Sequence, residues 1–270
     1  MHICVFREQE KFRSIVHKLC IVTITSKWQD EEAGTAYSDR ISSNAENLTL
    51  DNNALNMRVH SVDNGDGTLT YYAASGLKTL TTMNFKYGYL EMKMKTPVQG
   101  GLLPTVWLSG LNGPWSADVA KALTRDEFST YGTEVDILEQ YRTTDTFSTH
   151  LHKWYPGARP VSSDNDSTYT FDGEYHIYGF KWTPEEMSVY VDGALCYTAD
   201  LTESFDEESG MEGFRSPHYL RIGNGISTAA NGWEASPLTG VSGTGEVDCT
   251  LSVDWIRLYQ IPEQGGLWTK

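Results

Sequence analysis

The sequence has few basic residues and no long apolar run, and each shortage excludes a class of protein. No apolar segment approaches the ~20 residues that span a bilayer. The 270 residues include 21 Lys and Arg against 36 Asp and Glu, a net charge of −15. Nucleic-acid binding draws its affinity from neutralised phosphates, so this charge argues against a nucleic-acid partner and disfavours a strongly sulfated polymer. We therefore expect a neutral partner and no membrane association.

Cysteine is also scarce, and its spacing is not that of a metal site. No Cys-x-x-Cys pair occurs among the four cysteines, which are Cys4, Cys20, Cys196 and Cys249. This spacing disfavours a zinc site. Cys196 and Cys249 each lie in an apolar, strand-like run, which favours buried free thiols. A disulfide between Cys196 and Cys249 is the alternative.

A recognisable secretory signal peptide is absent from the first 25 residues. The apolar stretch 19–24 is too short, and charged residues between positions 7 and 13 interrupt what precedes it. The cell compartment is therefore inferred from function alone.

Helical periodicity is nearly absent, and from residue 47 onward the sequence reads as strand after strand. Apolar residues alternate with polar ones at 48–50 and 55–59 across a turn, which predicts a hairpin with one buried face. Further strands are predicted at 69–73, 87–95, 105–108, 134–141, 148–154, 175–182, 188–191, 194–197, 218–222 and 247–260. Many short strands without a repeat or a linker predict a single all-β sandwich or barrel.

The most informative segment is 134–139, which reads EVDILE. Side chains alternate along a strand, so Glu134 and Asp136 share a face while Glu139 would point away. One extra residue in a β-bulge, at Ile137 or Leu138, would return Glu139 to that face. The segment therefore predicts three carboxyl groups along one groove, with Val135 and its apolar neighbours packed inward.

Such a set of carboxyl groups suits glycoside hydrolysis. One ionised carboxylate attacks the anomeric carbon while a protonated one donates to the leaving oxygen, and retention of configuration needs them ~5–5.5 Å apart. A third carboxylate between them raises the proton affinity of its neighbours, which separates acid from base. The alternative is a solvated acidic strand on an acidic protein, although three carboxylates on one strand face would repel each other.

The same residues resemble the E-x-D-x-x-E signature of glycoside hydrolase family 16 in its bulged, laminarinase-like form. The resemblance runs in order from residue 47 to residue 260 and includes 47–50 (NLTL), 87–95 (YGYLEMKMK), 101–108 (GLLPTVWL), 175–184 (YHIYGFKWTP), 191–193 (VDG) and 253–259 (VDWIRLY). It places an N-terminal segment at 1–27, a catalytic domain at 28–262 and a C-terminal tail at 263–270.

This resemblance implies a concanavalin-A-like β-jelly-roll sandwich of two curved antiparallel sheets, with a cleft across one of them. It makes Glu134 the nucleophile, Glu139 the acid/base and Asp136 the residue that assists the nucleophile. His152 stands where the family has a histidine near the acid/base. His150 shares its face by alternation, so either histidine or both could reach the cleft.

Aromatic residues supply the expected sugar platform, because pyranose C–H faces stack on indole rings. The cleft is the favoured place for Trp107 and Trp115, whereas Trp154 and Trp233 are left open between cleft and core. The strand tryptophans Trp182 and Trp255 are expected in the core. Asn47, at the start of the family-like region, completes the substrate-binding candidates.

The sequence also departs from the family pattern. Leu103 stands where a tryptophan is common, and residues 85–86 (FK) replace a region where an arginine is frequent near the cleft. The usual aromatic-rich first strand is not recognisable in residues 1–27. Family members often bind a structural calcium ion on the convex face, and Asp254 is the candidate ligand here.

Taken together, these residues predict an endo-acting, retaining β-glycanase that acts as a monomer and needs no cofactor for catalysis. A β-1,3- or mixed β-1,3/1,4-glucan is the expected substrate, and an agar-type galactan or transglycosylation is the alternative within the family. A lectin-like carbohydrate-binding sandwich without turnover is the alternative from another class. Action on a polysaccharide would place the protein outside the cell or in the cell envelope.

Overall fold

The protein is almost entirely β-strand wherever the structure describes it. The computed structural model describes residues 29–30, 41–43, 47–51, 54–74, 76–80, 83–99, 102–110, 132–140, 146–153, 165–169, 171–202, 213–226, 246–260 and 266–269. The helical element described from end to end is a single turn of 3-10 helix, Gly213–Arg215. None of the described residues belongs to a helix long and apolar enough to cross a membrane.

The strands follow from the alternation seen in the sequence, because period-two patterns bury one face of each strand. In chain order they are β1 (Gln29–Asp30), β2 (Ile41–Ser43), β3 (Leu48–Asp51), β4 (Ala54–Asp63), β5 (Leu69–Ala73), β6 (Leu77–Lys78), β7 (Met83–Lys86), β8 (Gly88–Lys95), β9 (Leu102–Gly110), β10 (Thr133–Glu139), β11 (Thr146–Lys153), β12 (Asn165–Thr168), β13 (His176–Trp182), β14 (Glu186–Val191), β15 (Ala194–Asp200), β16 (His218–Ile226), β17 (Asp248–Tyr259) and β18 (Gly266–Thr269).

Two sheets form the sandwich predicted from the sequence. The first sheet has the order β1-β6-β16-β9-β10-β11-β12, with β7 pairing both β16 and β18. The second has the order β15-β14-β13-β8-β17-β4-β5-β2, with β3 pairing β4. The described pairs are antiparallel except for β2 with β5 at one edge of the second sheet. The all-β, jelly-roll expectation is confirmed.

The core lies between the two sheets and is built by alternate residues of their central strands. The second sheet contributes Met92 and Phe180, and the first sheet contributes Val106, Leu108 and Val135, all at most 1% exposed. The residues that alternate with these apolar ones along the strands of the first sheet point to its opposite face, here called the site face. Trp182 is buried in the same core, as expected. Trp255 is only half-buried, beneath the Arg257 guanidinium.

The hairpin predicted at 48–59 is present, but the prediction that Leu50 is buried in it is wrong. Strands β3 and β4 pair from Leu48 with Met57 to Asp51 with Ala54. Met57 and Val59 are buried, whereas Leu50 is 65% exposed. Strand β3 has four residues and pairs only with β4 in the described structure; Leu48 packs against the core, whereas Leu50 lies outside it.

Both described cysteines are free thiols, so the disulfide alternative is wrong. Cys196 lies on β15 and Cys249 on β17, with three strands of the same sheet between them. At ~4.8 Å per strand this places them about 19 Å apart, far beyond the reach of a disulfide. Each thiol is half-buried rather than fully buried, and Cys249 Sγ contacts Gln99 Oε1 at 2.9 Å.

The chain end differs from the tail expected at residues 263–270. Gly266–Thr269 forms β18, which pairs antiparallel with β7 from Gly266 with Lys86 to Thr269 with Met83. Four residues are too few for a periodic pattern, so alternation could not reveal this strand. The expected N-terminal segment 1–27 lies outside the described residues, and the proposed boundaries at 27 and 262 stay predictions.

Candidate active site

The acidic strand β10 lies in the middle of the first sheet, between β9 and β11. Its register places each of the three acidic residues beside a polar or aromatic residue of β9. The facing pairs are Glu134 with Ser109, Asp136 with Trp107 and Glu139 with Thr105. A central strand has both edges hydrogen-bonded, so the positions of these carboxyl groups are held by two neighbours.

A β-bulge brings the third acidic residue onto the site face. Along the β9 edge, the register advances by two residues from Asp136 to Leu138 while β9 advances by one. Along the β11 edge, Ile137 and Leu138 together lie opposite Thr149. Both bulged residues are buried in the core at 1% exposure, and Glu139 consequently points the same way as Asp136. The bulge predicted at these two positions is confirmed.

Two histidines of β11 contact two of the three acidic residues. His150 Nδ1 lies 2.7 Å from Glu139 Oε2, and His152 Nε2 lies 3.3 Å from Asp136 Oδ2. The two imidazole rings are neighbours, with their centroids 5.7 Å apart. The structure therefore places both predicted histidines at the acidic cluster.

The central carboxyl group of the cluster, that of Asp136, has a perturbed pKa. Burial raises the pKa of Asp136 well above its usual range, and the negative charges of Glu139 and Glu134 raise it further. The positive charge of Arg221 acts in the opposite direction. Like charges side by side in a desolvated place therefore disfavour ionisation of the Asp136 carboxyl group.

Arg221 is a site-face residue that the sequence analysis missed. It lies on β16 opposite Trp107, and its guanidinium carbon is 3.6 Å from the centre of the Trp107 ring. Residues 85–86 replace the region where the family frequently has an arginine near the cleft, and Arg221 lies on a different strand. Alternation along β16 puts Tyr219 and Arg221 on one face, yet only knowledge that β16 pairs with β9 shows which face that is.

The tryptophan candidates divide into one described residue and three that are not. Trp107 lies on the site face beside Asp136, and 8% of its surface is exposed beneath Arg221. Trp115, Trp154 and Trp233 lie outside the described residues. Their assignment to the substrate-binding region stays a prediction.

Asn47 is not brought together with the acidic cluster. It lines a polar groove of about 700 Å³ on the outer face of the second sheet, with Asn56, Tyr175 and Asp254 among its neighbours. The core separates this groove from the site face of the first sheet. The Asn47 side chain is buried, and its amide nitrogen has no hydrogen-bond partner.

The structural calcium ion expected at Asp254 stays a prediction. A calcium ion takes about six to eight oxygen ligands. The Asp254 carboxylate lies 2.7 Å from the Lys93 ammonium. The described groups with metal-binding geometry are on the site face, where one ligand atom each from Asp136, His150 and His152 lies within 4.8 Å of the other two.

Comparison with known proteins identifies the family that has this fold. The model of the glycosyl hydrolases family 16 matches residues 34–255. The laminarinase catalytic domain of Thermotoga maritima has a similar fold, with a TM-score of 0.65 at 22% identity over 89% of this chain and 94% of that one.

Two curated relatives are also similar in sequence. Glucan endo-1,3-beta-glucosidase A1 of Niallia circulans is 22% identical over 87% of this chain and 36% of its own length. The beta-1,3-glucan-binding protein of Penaeus monodon is 29% identical over 51% of this chain and 38% of its own length. The chain thus spans little more than a third of either relative. Because the family model covers most of the chain, the conclusion concerns the family: this chain belongs to the glycosyl hydrolases family 16.

Proposed function

We propose that the chain is an endo-acting, retaining β-glycanase that hydrolyses internal β-1,3- or mixed β-1,3/1,4-glucosidic bonds. The observation that carries this proposal is the bulge in β10, which gathers Glu134, Asp136 and Glu139 on one face of one strand. A packing role would not need three mutually repelling carboxyl groups on a central strand. Paired carboxyl groups are the machinery of glycoside hydrolysis.

The roles follow the order of the residues along the strand. The Glu134 carboxylate attacks the anomeric carbon as the glycosidic C–O bond breaks, and Glu139 transfers its proton to the leaving oxygen. Glu139 then takes a proton from a water molecule whose oxygen attacks the same carbon and releases Glu134. His150, 2.7 Å from Glu139 Oε2, orients the carboxyl group of the acid/base. Asp136 lies between the two and assists the nucleophile.

A neutral glucan is the best-supported substrate class. The net charge of −15 disfavours an anionic polymer, and the two curated relatives are named for β-1,3-glucan. An agar-type galactan is the alternative substrate within the family. Transglycosylation is the alternative outcome if a sugar hydroxyl, rather than water, attacks the glycosyl-enzyme.

The test is a reducing-sugar assay on laminarin, lichenan and agarose, combined with sizing of the products and NMR of their first-formed anomers. We expect release from laminarin or lichenan, a spread of oligosaccharide lengths and retained β-configuration. Inversion would contradict the proposed role of Glu134. Release from agarose alone would replace the glucan with a galactan.

Binding without turnover is the second candidate, and the Penaeus monodon relative, which is named as a glucan-binding protein, favours it. Binding alone does not need a nucleophile beside an acid/base, so the intact Glu134, Asp136 and Glu139 set favours the enzyme. Retention of the chain on a laminarin gel, with no release from any of the three polymers, would establish the binding protein instead.

The proposed activity also implies a cell compartment, a cofactor requirement and an oligomeric state. A polysaccharide too large to enter a cell places the activity outside the cell or in the cell envelope, and catalysis by carboxyl groups requires no cofactor. We expect a monomer in size-exclusion chromatography and unchanged hydrolysis after treatment with a chelator. Loss of activity on chelation would show that a bound ion is needed.

A further inference from the structure

The residues of the site face that serve hydrolysis also combine carboxylate and imidazole groups, which are common metal ligands. One ligand atom of Asp136, one of His150 and one of His152 lie within 4.8 Å of one another. They come from adjacent, hydrogen-bonded strands, with Asp136 on β10 facing His150 on β11. Two imidazoles and a carboxylate are the ligand set that divalent transition metals favour over calcium or magnesium.

The distances are close to those of a formed site. Tetrahedral zinc has bonds of about 2.0–2.2 Å to nitrogen and oxygen, which separates neighbouring ligand atoms by about 3.3 Å. His152 Nε2 and Asp136 Oδ2 are already 3.3 Å apart. The remaining ligand atom, from His150, lies within 4.8 Å of both and has to approach for all three to bind one ion.

A second carboxylate supports one of the two imidazoles. Glu139 Oε2 lies 2.7 Å from His150 Nδ1. A proton held on Nδ1 by this carboxylate leaves the lone pair of the ring on Nε2, which is then the metal-binding atom. A carboxylate behind a metal-bound histidine fixes its tautomer and increases its basicity, and it is the usual outer partner of such ligands.

The site is also accessible from solvent. The side chains of His150 and His152 are 14% and 32% exposed, while the Asp136 carboxyl group lies deeper at 6%. An ion arriving from solvent would meet the imidazoles first, and the negative charge of the cluster would attract it. Three protein ligands leave a fourth position open, unlike the closed four-ligand shell of a structural zinc.

We propose that Asp136, His150 and His152 form a binding site for a divalent transition-metal ion such as Zn²⁺, and that the bound ion blocks hydrolysis. The first half stands on the geometry alone. The second half rests on the proposed function, because an ion on Asp136 occupies the space between Glu134 and Glu139 where the sugar ring has to sit.

A histidine on the second sheet provides a matched control. His176 contacts Asp192 through Nδ1 at 2.6 Å and Asp172 through Nε2 at 2.9 Å. The two ring nitrogens point in opposite directions, so one ion cannot bind the ring and both carboxylates together. His176→Gln therefore removes a histidine with two carboxylate partners and leaves the proposed metal site intact.

The experiment measures Zn²⁺ binding to chelator-treated protein by competition with a chromogenic zinc indicator. We expect one site in the unaltered chain, an affinity lower by about 100-fold in His152→Gln, and an affinity within about twofold of the original in His176→Gln. His150→Gln serves as a second ligand variant, and thermal melting shows that each variant is folded. Equal Zn²⁺ affinity in all four proteins, or no binding at all, would overturn the proposal.

Two further readouts separate this inference from the proposed function. Co²⁺ in place of Zn²⁺ is expected to give visible absorption bands that His152→Gln removes, without any substrate present. Laminarin hydrolysis is expected to fall as Zn²⁺ fills the site and to return on adding EDTA. Binding without inhibition would refute the blocking role alone, and a chain that binds Zn²⁺ but cleaves no glucan would refute only the proposed function.

Discussion

The guanidinium carbon of Arg221 lies 3.6 Å from the centre of the Trp107 ring, across the paired strands β16 and β9. This stacking covers one face of the ring that the sequence analysis assigned to sugar binding. We therefore expect a sugar that binds Trp107 to contact the opposite face or the edge of the ring. The contact also holds a positive charge near Asp136, whose pKa it lowers against the effect of burial.

The stacking predicts a measurable coupling between the two residues. In a double-mutant cycle of Arg221→Met and Trp107→Leu, we expect a coupling free energy of about 1 kcal/mol, typical of a partly desolvated cation–π pair. Urea denaturation of the four proteins measures it. Strictly additive changes in the free energy of unfolding would mean that the contact contributes nothing.

The proposed nucleophile makes the second prediction. Glu134→Gln keeps the size of the side chain but removes the charge that attacks the anomeric carbon, so we expect kcat to fall on the order of 10³-fold or more. Laminarin hydrolysis and retention on a laminarin gel are measured together, because binding should be preserved. Glu185→Gln, at an exposed turn of the second sheet, is the matched control and should hydrolyse normally. Full activity in Glu134→Gln would remove Glu134 from the mechanism.

The third prediction concerns Gly110, the last residue of β9. A Cβ atom there would overlap the Thr133 hydroxyl and lie 2.6 Å from His218 Nε2. Both neighbours are buried and hydrogen-bonded to each other at 2.9 Å, so neither can move aside without losing that bond or its packing. We expect Gly110→Ala to lower the free energy of unfolding by roughly 1–3 kcal/mol.

Gly223→Ala on the adjacent strand is the comparison, since its Cβ would meet a single hydroxyl oxygen, that of Thr105, at 3.3 Å. Chemical denaturation of both variants gives the difference. Two equally stable variants would contradict the crowding at Gly110.

His218 predicts how stability changes in acid. Complete burial lowers its pKa to about 4, although the Ser216 carbonyl, which accepts a hydrogen bond from Nδ1, acts in the opposite direction. Between pH 6.5 and about 4 the unfolded chain binds a proton that the folded chain refuses. The contribution of His218 to the free energy of unfolding is therefore full above pH 6.5. Between pH 6.5 and about 4 it declines by about 1.4 kcal/mol for each pH unit.

The measurement compares unfolding free energies of the unaltered chain and His218→Gln from pH 4.5 to pH 8. We expect the variant to be less stable at pH 8, because the cavity is shaped for imidazole, and to lose less stability than the unaltered chain between pH 6.5 and 4.5. Parallel curves for the two proteins would show that His218 does not carry this acid sensitivity.

Much of this molecule could be predicted from its sequence because its information is local. Alternation located the strands near 87–95, 175–182 and 247–260, and the pattern of 134–139 indicated the bulge, since a strand has only two faces. What could not be predicted depends on strand order. The stacking of Arg221 on Trp107 needs β16 to lie beside β9, although the two residues are 114 positions apart in the sequence.

The sequence-based predictions that failed also depended on which strands and layers lie next to each other. Leu50 has an apolar side chain in an alternating pattern, but it lies outside the core that Leu48 of the same strand packs against. Asn47 resembles an early family residue in sequence, yet the fold places it beneath the outer groove of the second sheet. Residue type and spacing do not say which elements meet in space, so exposure and neighbours across sheets had to come from the structure.

The extra residue in β10 also constrains how this chain can change. Removing Ile137 alone would restore a regular ladder in which Leu138 faces the core and the Glu139 carboxyl group stays on the face of Asp136. Deletion of one bulged residue should therefore keep the three carboxyl groups together, whereas a polar residue at either bulged position would enter the core and should destabilise the fold. In this strand, the burial of the two bulged side chains matters more than their number.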